Sequence, residues 1–263
     1  MLTIRGTRHG DDLFAPDSGA RIRGGLGDDS IEGRMGNDIL YGDGGNDALQ
    51  DVTGGFNRLY GGRGDDVIFN INGEAWGGVG NDDVSALGLA VGGSGDDRVS
   101  GSGQLFGDEG PGVTPSAVGN DTLHTSTGAT PTQMTGGLGA DQFSVGANID
   151  GVYGIVEIMD FTAGQDKIGV GEWHGGGDAD PGNPYQTTFD RLDANHNGVI
   201  EFTDSAGADG DWYTPDGGAV YFDGRNLILG LGATFATGFA TDAEDWLVVH
   251  GTTQLTRDDF LFG

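Results

Sequence analysis

The sequence predicts an all-β fold: a parallel β-solenoid followed by a β-rich C-terminal capping domain. Three observations carry that expectation. Glycine supplies 55 of the 263 residues, about three times its usual share of roughly 7%. A nine-residue pattern with glycine and aspartate at fixed places recurs through the first half. After Ser144 that pattern gives way to short alternating apolar segments. The expected division is a repeat domain over residues 1–144 and a second domain over 145–263.

The glycines do not recur every third residue and only 7 prolines are present, so collagen is excluded. An apolar content of 35% with 13 Phe and 4 Trp argues against plain disorder. The formal charge of -29, from 41 acidic against 12 basic side chains, excludes a nucleic-acid partner, which needs clustered Lys and Arg, and favours polyvalent cations. Without cysteine no disulfide can form, so cross-linking has to come from elsewhere. No run of 18 apolar residues suggests a membrane span. The N-terminal MLTIRGTRHGDD carries no apolar run resembling a signal peptide, so export is expected by a route without a cleaved leader.

Seven segments share Gly at position 1, Gly at 4, Asp at 6 and an apolar residue at 8. They are GGLGDDSIE from Gly24, GRMGNDILY from Gly33, GDGGNDALQ from Gly42, GGRGDDVIF from Gly61, GGVGNDDVS from Gly77, GGSGDDRVS from Gly92 and GGLGADQFS from Gly136. A looser copy opens at Gly6, and another starts at Gly107 and resumes at Gly119 after an insertion. Position 8 gives the expected core: Leu13, Ile31, Leu40, Leu49, Ile68, Val84, Val99, Leu123 and Phe143. A single repeat buries almost nothing, so stacking is obligatory.

The pattern GGxGxDxUx, where U is apolar, resembles the hemolysin-type nonapeptide of RTX (repeats-in-toxin) proteins, over about residues 5–144. The resemblance implies a right-handed parallel β-roll that binds several Ca²⁺ ions, with two successive nonapeptides making one turn. The chemistry agrees with it. Glycines let positions 1 to 6 turn tightly with carbonyls pointing inward, and Ca²⁺ takes 6–8 oxygen ligands at roughly 2.3–2.6 Å, more than one loop with one Asp supplies. Two stacked loops suffice. The expected metal residues are Gly24, Gly25, Gly27 and Asp29; Gly33, Gly36 and Asp38; Gly42, Gly45 and Asp47; Gly61, Gly64 and Asp66; Gly77, Gly80 and Asp82; Gly92, Gly95 and Asp97; Asp121; and Gly136, Gly139 and Asp141, with Asp11 a weaker candidate. The competing reading is a glycine-rich solenoid whose Asp side chains only cap turns.

Half-turns starting at residues 6, 24, 42, 61, 77, 92, 107 and 136 fall on one edge. Those between start at 15, 33, 51, 70, 86, 101 and about 125, and the ones at 70, 86 and 101 shrink to seven or six residues. An asymmetric roll is expected, with a calcium column on one edge and a plain turn on the other. Trp76, Val91 and Phe106 are expected to fill the core from the shortened segments. The insertion in 107–124 leaves open which edge holds Asp141.

In the C-terminal domain, IVEIMDFTAGQDKIGV (155–170) reads as two short strands around a Gly turn and resembles the segment that caps RTX rolls. The tail DWLVVHGTTQLTRDDFLFG resembles the C-terminal ends of chains exported by type I secretion, such as serralysin-type proteases. The resemblance implies the type I secretion machinery as a partner and a secreted, extracellular location. The alternative is that Leu255 to Phe262 is a last core strand. Between these segments, 193–204 has the spacing of an EF-hand loop: Asp193, Asn195 and Asn197 at positions 1, 3 and 5, the Val199 carbonyl at 7, and Asp204 where a bidentate Glu is usual. An Asx-rich turn is the other reading of that loop.

No HExxH, no GxSxG and no cysteine nucleophile is present, and the five histidines are scattered without ligand spacing. The expectation is therefore a non-enzymatic, secreted calcium-binding protein. The alternative is the export and folding tail of a larger secreted enzyme, a metalloprotease or a polysaccharide epimerase. Calcium bridging to an extracellular anionic polymer is a further partner compatible with the charge.

Overall fold

The computed structural model describes residues 1–112, 119–125, 131–146, 155–171, 193, 197–201, 219–230 and 246–261. Among them the only helical segment is the 3-10 turn Arg257–Asp259. The chain forms two compact units, one of residues 1–126 with 135–141 and one of 127–134 with 142–263.

The first unit is a β-solenoid of parallel strands. In one sheet Leu2–Arg5, Ala20–Leu26, Ile39–Gly44 and Asn57–Arg63 stack in turn order. In the other, Asp12–Phe14, Ser30–Glu32 and Ala48–Asp51 do the same. From residue 67 onward the two halves of a turn fuse into single long strands, Val67–Val79, Asp83–Ser94 and Arg98–Phe106, paired in register. The shortened half-turns at 70, 86 and 101 explain the fusion, because too few residues remain there to make a loop.

Strand alternation sends one row from each sheet inward. Ile31, Leu49, Ile68, Val84, Val99 and Leu123 form one row, and Ile22, Leu40, Leu59, Ala75, Ala90 and Leu105 the other, all essentially inaccessible. Leu13 is only half-buried because it belongs to the first turn. The shortened segments are out of step with the expected core by one residue. Ala75, Ala90 and Leu105 point inward, while Trp76 stacks on Tyr60 at 4.6 Å and Tyr60 on Tyr41 at 4.9 Å, in a ladder on the sheet's other face. Phe106 lies in that outer row and is half-buried, and Val91 is covered there by Gly110. The pairing Leu59↔Ala75↔Ala90↔Leu105 fixes this register.

Leu59 lies in the middle of the inner stack with 0% exposure. Leu59→Ala should lower stability by about 3 kcal/mol, the sum of lost burial and a cavity in a stack whose neighbours are held by strand pairing. Thermal melting in saturating calcium would measure it.

The second unit is also β-rich. Thr132–Thr135, Ile155–Ile158 and Trp246–Val249 pair in parallel, and Leu227–Gly230 and Ala219–Phe222 continue that sheet antiparallel. Gln142–Gly146, Lys167–Gly171 and Phe260–Leu261 form a second parallel set. Ile155–Ile158 and Lys167–Gly171 were expected as two strands around a turn, and each pairs into a different set. Met134, Phe143, Ile158, Ile168, Leu229, Leu247 and Val249 are buried here. The tail contributes structurally, with Phe260 and Asp259 buried.

Candidate metal centre

The aspartates at repeat position 6 form a ladder along the first edge of the solenoid. The Asp11 backbone N–H donates to Asp29 Oδ1, Asp29 to Asp47, Asp47 to Asp66, Asp66 to Asp82, Asp82 to Asp97, Asp97 to Asp121 and Asp121 to Asp141, all at 2.7–2.9 Å. Sequence separations between rungs run 18, 18, 19, 16, 15, 24 and 20. The column thus tolerates both the shortened turns and the insertion. Asp141 stays on the same edge as Asp121, which settles the placement that the 107–124 insertion left open.

One carboxylate oxygen per rung is spoken for by the ladder, and the other is not. Oδ2 of Asp29, Asp47, Asp66, Asp82, Asp97 and Asp121 is buried without a hydrogen-bond partner. Each of these oxygens lies against a position-1 glycine, together with the position-1 carbonyl of the following turn. Asp29 Oδ2 and the Gly42 carbonyl meet in front of Gly24, Asp66 Oδ2 and the Gly77 carbonyl in front of Gly61, and Asp82 Oδ2 and the Gly92 carbonyl in front of Gly77. A Cβ at any of these glycines would fill the space. Gly62 and Gly64, at φ 121° and 119°, occupy a backbone region closed to ordinary side chains, which brings the Gly45 and Asp43 carbonyls against the next loop.

Such a set suits a hard cation. Among the described residues no point gathers three or more His, Cys, Asp or Glu side chains, so an ion here would draw on carboxylates from stacked rungs and on backbone carbonyls, as Ca²⁺ accepts. Electrostatics points the same way. Burial pushes the carboxyl of Asp47 up to about 6, Asp66 to about 7, Asp82 to about 6, Asp97 to about 7 and Asp121 to about 8, and raises Asp29. The N–H bond in each rung opposes the shift, and neighbouring aspartates add to it. These are carboxylates that need a positive partner.

Position 5 forms a second ladder, which the sequence reading missed. The side-chain Oδ1 of Asp28 accepts from Asn46 N–H, Asn46 from Asp65, Asp65 from Asn81, Asn81 from Asp96 and Asp96 from Asn120, at 2.8–3.0 Å. Here the side chain reaches toward the next turn, whereas at position 6 it reaches toward the previous one. Asp and Asn alternate strictly, so a neutral amide separates each pair of carboxylates. The alternation of GDD and GND in the repeats was the available signal.

The opposite edge carries a short ladder of its own. Ala20 N–H donates to Asp38 Oδ1 at 2.5 Å, and Asp38 N–H to Asn57 Oδ1 at 2.9 Å. Gly33 and Gly36 belong to this loop, and in the next three turns the continuous strands Val67–Val79, Asp83–Ser94 and Arg98–Phe106 take its place.

Residues 17–49, 51–70 and 89–104 match the family of the RTX calcium-binding nonapeptide repeat, in four copies. These segments are RTX repeats. The match covers the rungs Asp29, Asp47, Asp66 and Asp97 and the second-edge residue Asp38, and the same ladder of hydrogen bonds includes Asp82, Asp121 and Asp141. No curated protein matches the chain.

Two further sites lie in the second unit. Thr162 N–H donates to Asp166 Oδ2 at 2.7 Å, the same local turn as Thr7 N–H to Asp11 Oδ2. Gly164, Asp166 and Ile168 repeat the 4, 6, 8 spacing, so Phe161–Gly169 is a degenerate repeat that the sequence reading took for a plain turn. In the EF-hand-like loop, buried Asp193 accepts from the N–H groups of Asn197 and Gly198 at 3.1 and 2.8 Å. Val199–Glu201 pairs with Gln254–Thr256. Asn195 and Asp204 lie outside the described residues, as do His174–Pro184.

Proposed function

We propose that the chain is a secreted calcium-binding protein whose β-roll folds when it takes up several Ca²⁺ ions outside the cell. The single observation that carries this reading is the column of buried, partnerless Oδ2 atoms from Asp29 to Asp121, each beside a glycine carbonyl of the next turn.

The magnitudes support a switch between compartments. With an extracellular-type affinity near ~10⁻⁴ M and millimolar Ca²⁺, each site adds about 1.4 kcal/mol, so some seven sites add roughly 10 kcal/mol. That equals the stability of an ordinary domain. At sub-micromolar Ca²⁺ the gain vanishes and a chain of charge -29 repels itself. An unfolded cytoplasmic chain suits export by the type I machinery, the partner to which the tail's resemblance points, and folding on arrival outside makes the step one-way. The role is read as non-enzymatic, on the ground that the sequence carries no HExxH, no GxSxG and no cysteine nucleophile. Bound calcium at the exposed edge would also bridge to an anionic polymer. Asp193, Asn195, Asn197, Val199 and Asp204 belong to the proposal as a separate site.

Native mass spectrometry of the chelator-stripped chain titrated with Ca²⁺, with Mg²⁺ as control, tests the reading. Several ions should bind from Ca²⁺ alone, because Mg²⁺ demands octahedral geometry and keeps its waters. A chain that binds none, or binds both ions alike, would overturn it.

A further inference from the structure

Repeat position 1 is glycine throughout the first edge, from Gly24 to Gly136, but the half-turn that opens at residue 51 begins with aspartate. Asp51 is fully buried. Its Oδ1 accepts from the Thr53 backbone N–H at 3.2 Å, and its Oδ2 is buried with no partner. That oxygen lies directly against Gly33, where an added Cβ would collide with it. Gly33 opens the repeat of Asp38, whose carboxyl is also fully buried and close enough to Asp51 to add, after burial itself, to what disfavours the charge of Asp51. None of the ion pairs among the described residues involves either of them.

Two buried carboxyl groups facing one another without a base have to be neutralised, because an uncompensated buried charge costs several kcal/mol. On the first edge the space before each position-1 glycine is shared by that repeat's own Asp and the next turn's carbonyl. At Gly33 the next turn sends a carboxylate into that space instead. We infer that Asp38 and Asp51 together hold one divalent cation on the second edge, Ca²⁺ by their all-oxygen chemistry, with Asp51 supplying a ligand that the repeat pattern itself does not contain. The inference rests on the calcium reading of the RTX column. One turn later the ladder position is held by Asn57, whose Oδ1 is used by Asp38 N–H and whose remaining atom is an amide nitrogen without a lone pair for a metal. From Asn70 to Phe106 continuous strands replace the loop.

The test is native mass spectrometry of the full chain in Ca²⁺, comparing wild type with Asp51→Asn and with Asp82→Asn in the column. Circular dichroism in the same buffer checks that each is folded, and Asp38→Asn serves as the second variant should Asp51→Asn not fold. Asp51→Asn should carry one ion fewer than wild type and keep the column's ions, and its calcium-induced rise in melting temperature should be smaller. A full complement of ions in Asp51→Asn and Asp38→Asn would overturn the inference and leave the pair as two carboxyls sharing a proton, with the calcium column untouched. A wild type that binds no Ca²⁺ would overturn the column reading and this site with it.

Discussion

In chelator at about pH 8 the chain should show the circular dichroism of a coil, and acidification to about pH 4.5 without metal should restore β structure. The carboxyls of Asp47, Asp66, Asp82, Asp97 and Asp121 are raised by burial to between about 6 and about 8, whereas in the unfolded chain they return to an ordinary value near 3.8. Between those limits the folded state binds more protons than the unfolded one, so stability falls as pH rises. The contribution of each group is intact below the unfolded value and lost as pH climbs through the folded one. The net charge of -29 acts in the same direction, because titrating carboxylates at mild acid also relieves self-repulsion. Calcium should replace the protons at about pH 8 and refold the chain cooperatively, since adjacent sites share rungs. The already folded chain should bind Ca²⁺ more weakly at about pH 6 than at about pH 8, because protons compete for the ladder, whereas folding at about pH 6 should need no more Ca²⁺ than at about pH 8, because those same protons stabilise the metal-free fold. A chelated chain equally stable at both pH values would show that the ladder is not the element that switches.

The inner row and the first-edge column were legible because both are set by local spacing. Glycine at 1 and 4, aspartate at 6 and an apolar residue at 8 prescribe a tight loop, a buried carboxylate and an inward side chain, and Asp29, Asp47, Asp66, Asp82, Asp97, Asp121 and Asp141 all sit where that spacing puts them. What was not legible depends on partners a turn away. Trp76 is apolar and closes its segment, yet the register imposed by Leu59↔Ala75 turns it outward onto Tyr60. Asp51 breaks the pattern at the one place where its meaning depends on Gly33, 18 residues earlier. The direction of the position-5 ladder is likewise a property of stacked turns, though the alternation of Asp28, Asn46, Asp65, Asn81, Asp96 and Asn120 was visible throughout. Asp166 escaped notice because its repeat has phenylalanine at position 1, where the pattern asks for glycine.

Asp82→Asn should shift stability in opposite directions with and without calcium. In wild type Asp82 Oδ1 accepts the Asp66 N–H at 2.8 Å and its own N–H reaches Asp97 Oδ1 at 2.7 Å, and the amide keeps both bonds while removing the charge. In saturating Ca²⁺ the variant loses a ligand shared by the sites on either side, and at a tenfold excess of metal over its dissociation constant two sites are worth about 3 kcal/mol. In chelator at about pH 4.5, where the metal-free chain is folded, the sign reverses. The substitution deletes a buried carboxylate whose charge the metal-free fold disfavours, as its raised value of about 6 records, so metal-free Asp82→Asn should be the more stable protein. Asp82→Ala separates this from a packing effect, because it also strips the acceptor from the buried Asp66 N–H, at a cost of about 1–3 kcal/mol in both buffers. Urea unfolding of the three proteins with calcium and with chelator would measure all six values. A turn-capping aspartate would leave Asp82→Asn close to wild type in both conditions, since Asn caps turns as well as Asp. A crossing of the two curves therefore identifies a metal ligand, and parallel curves would return the first edge to a glycine-rich solenoid held by hydrogen bonds alone.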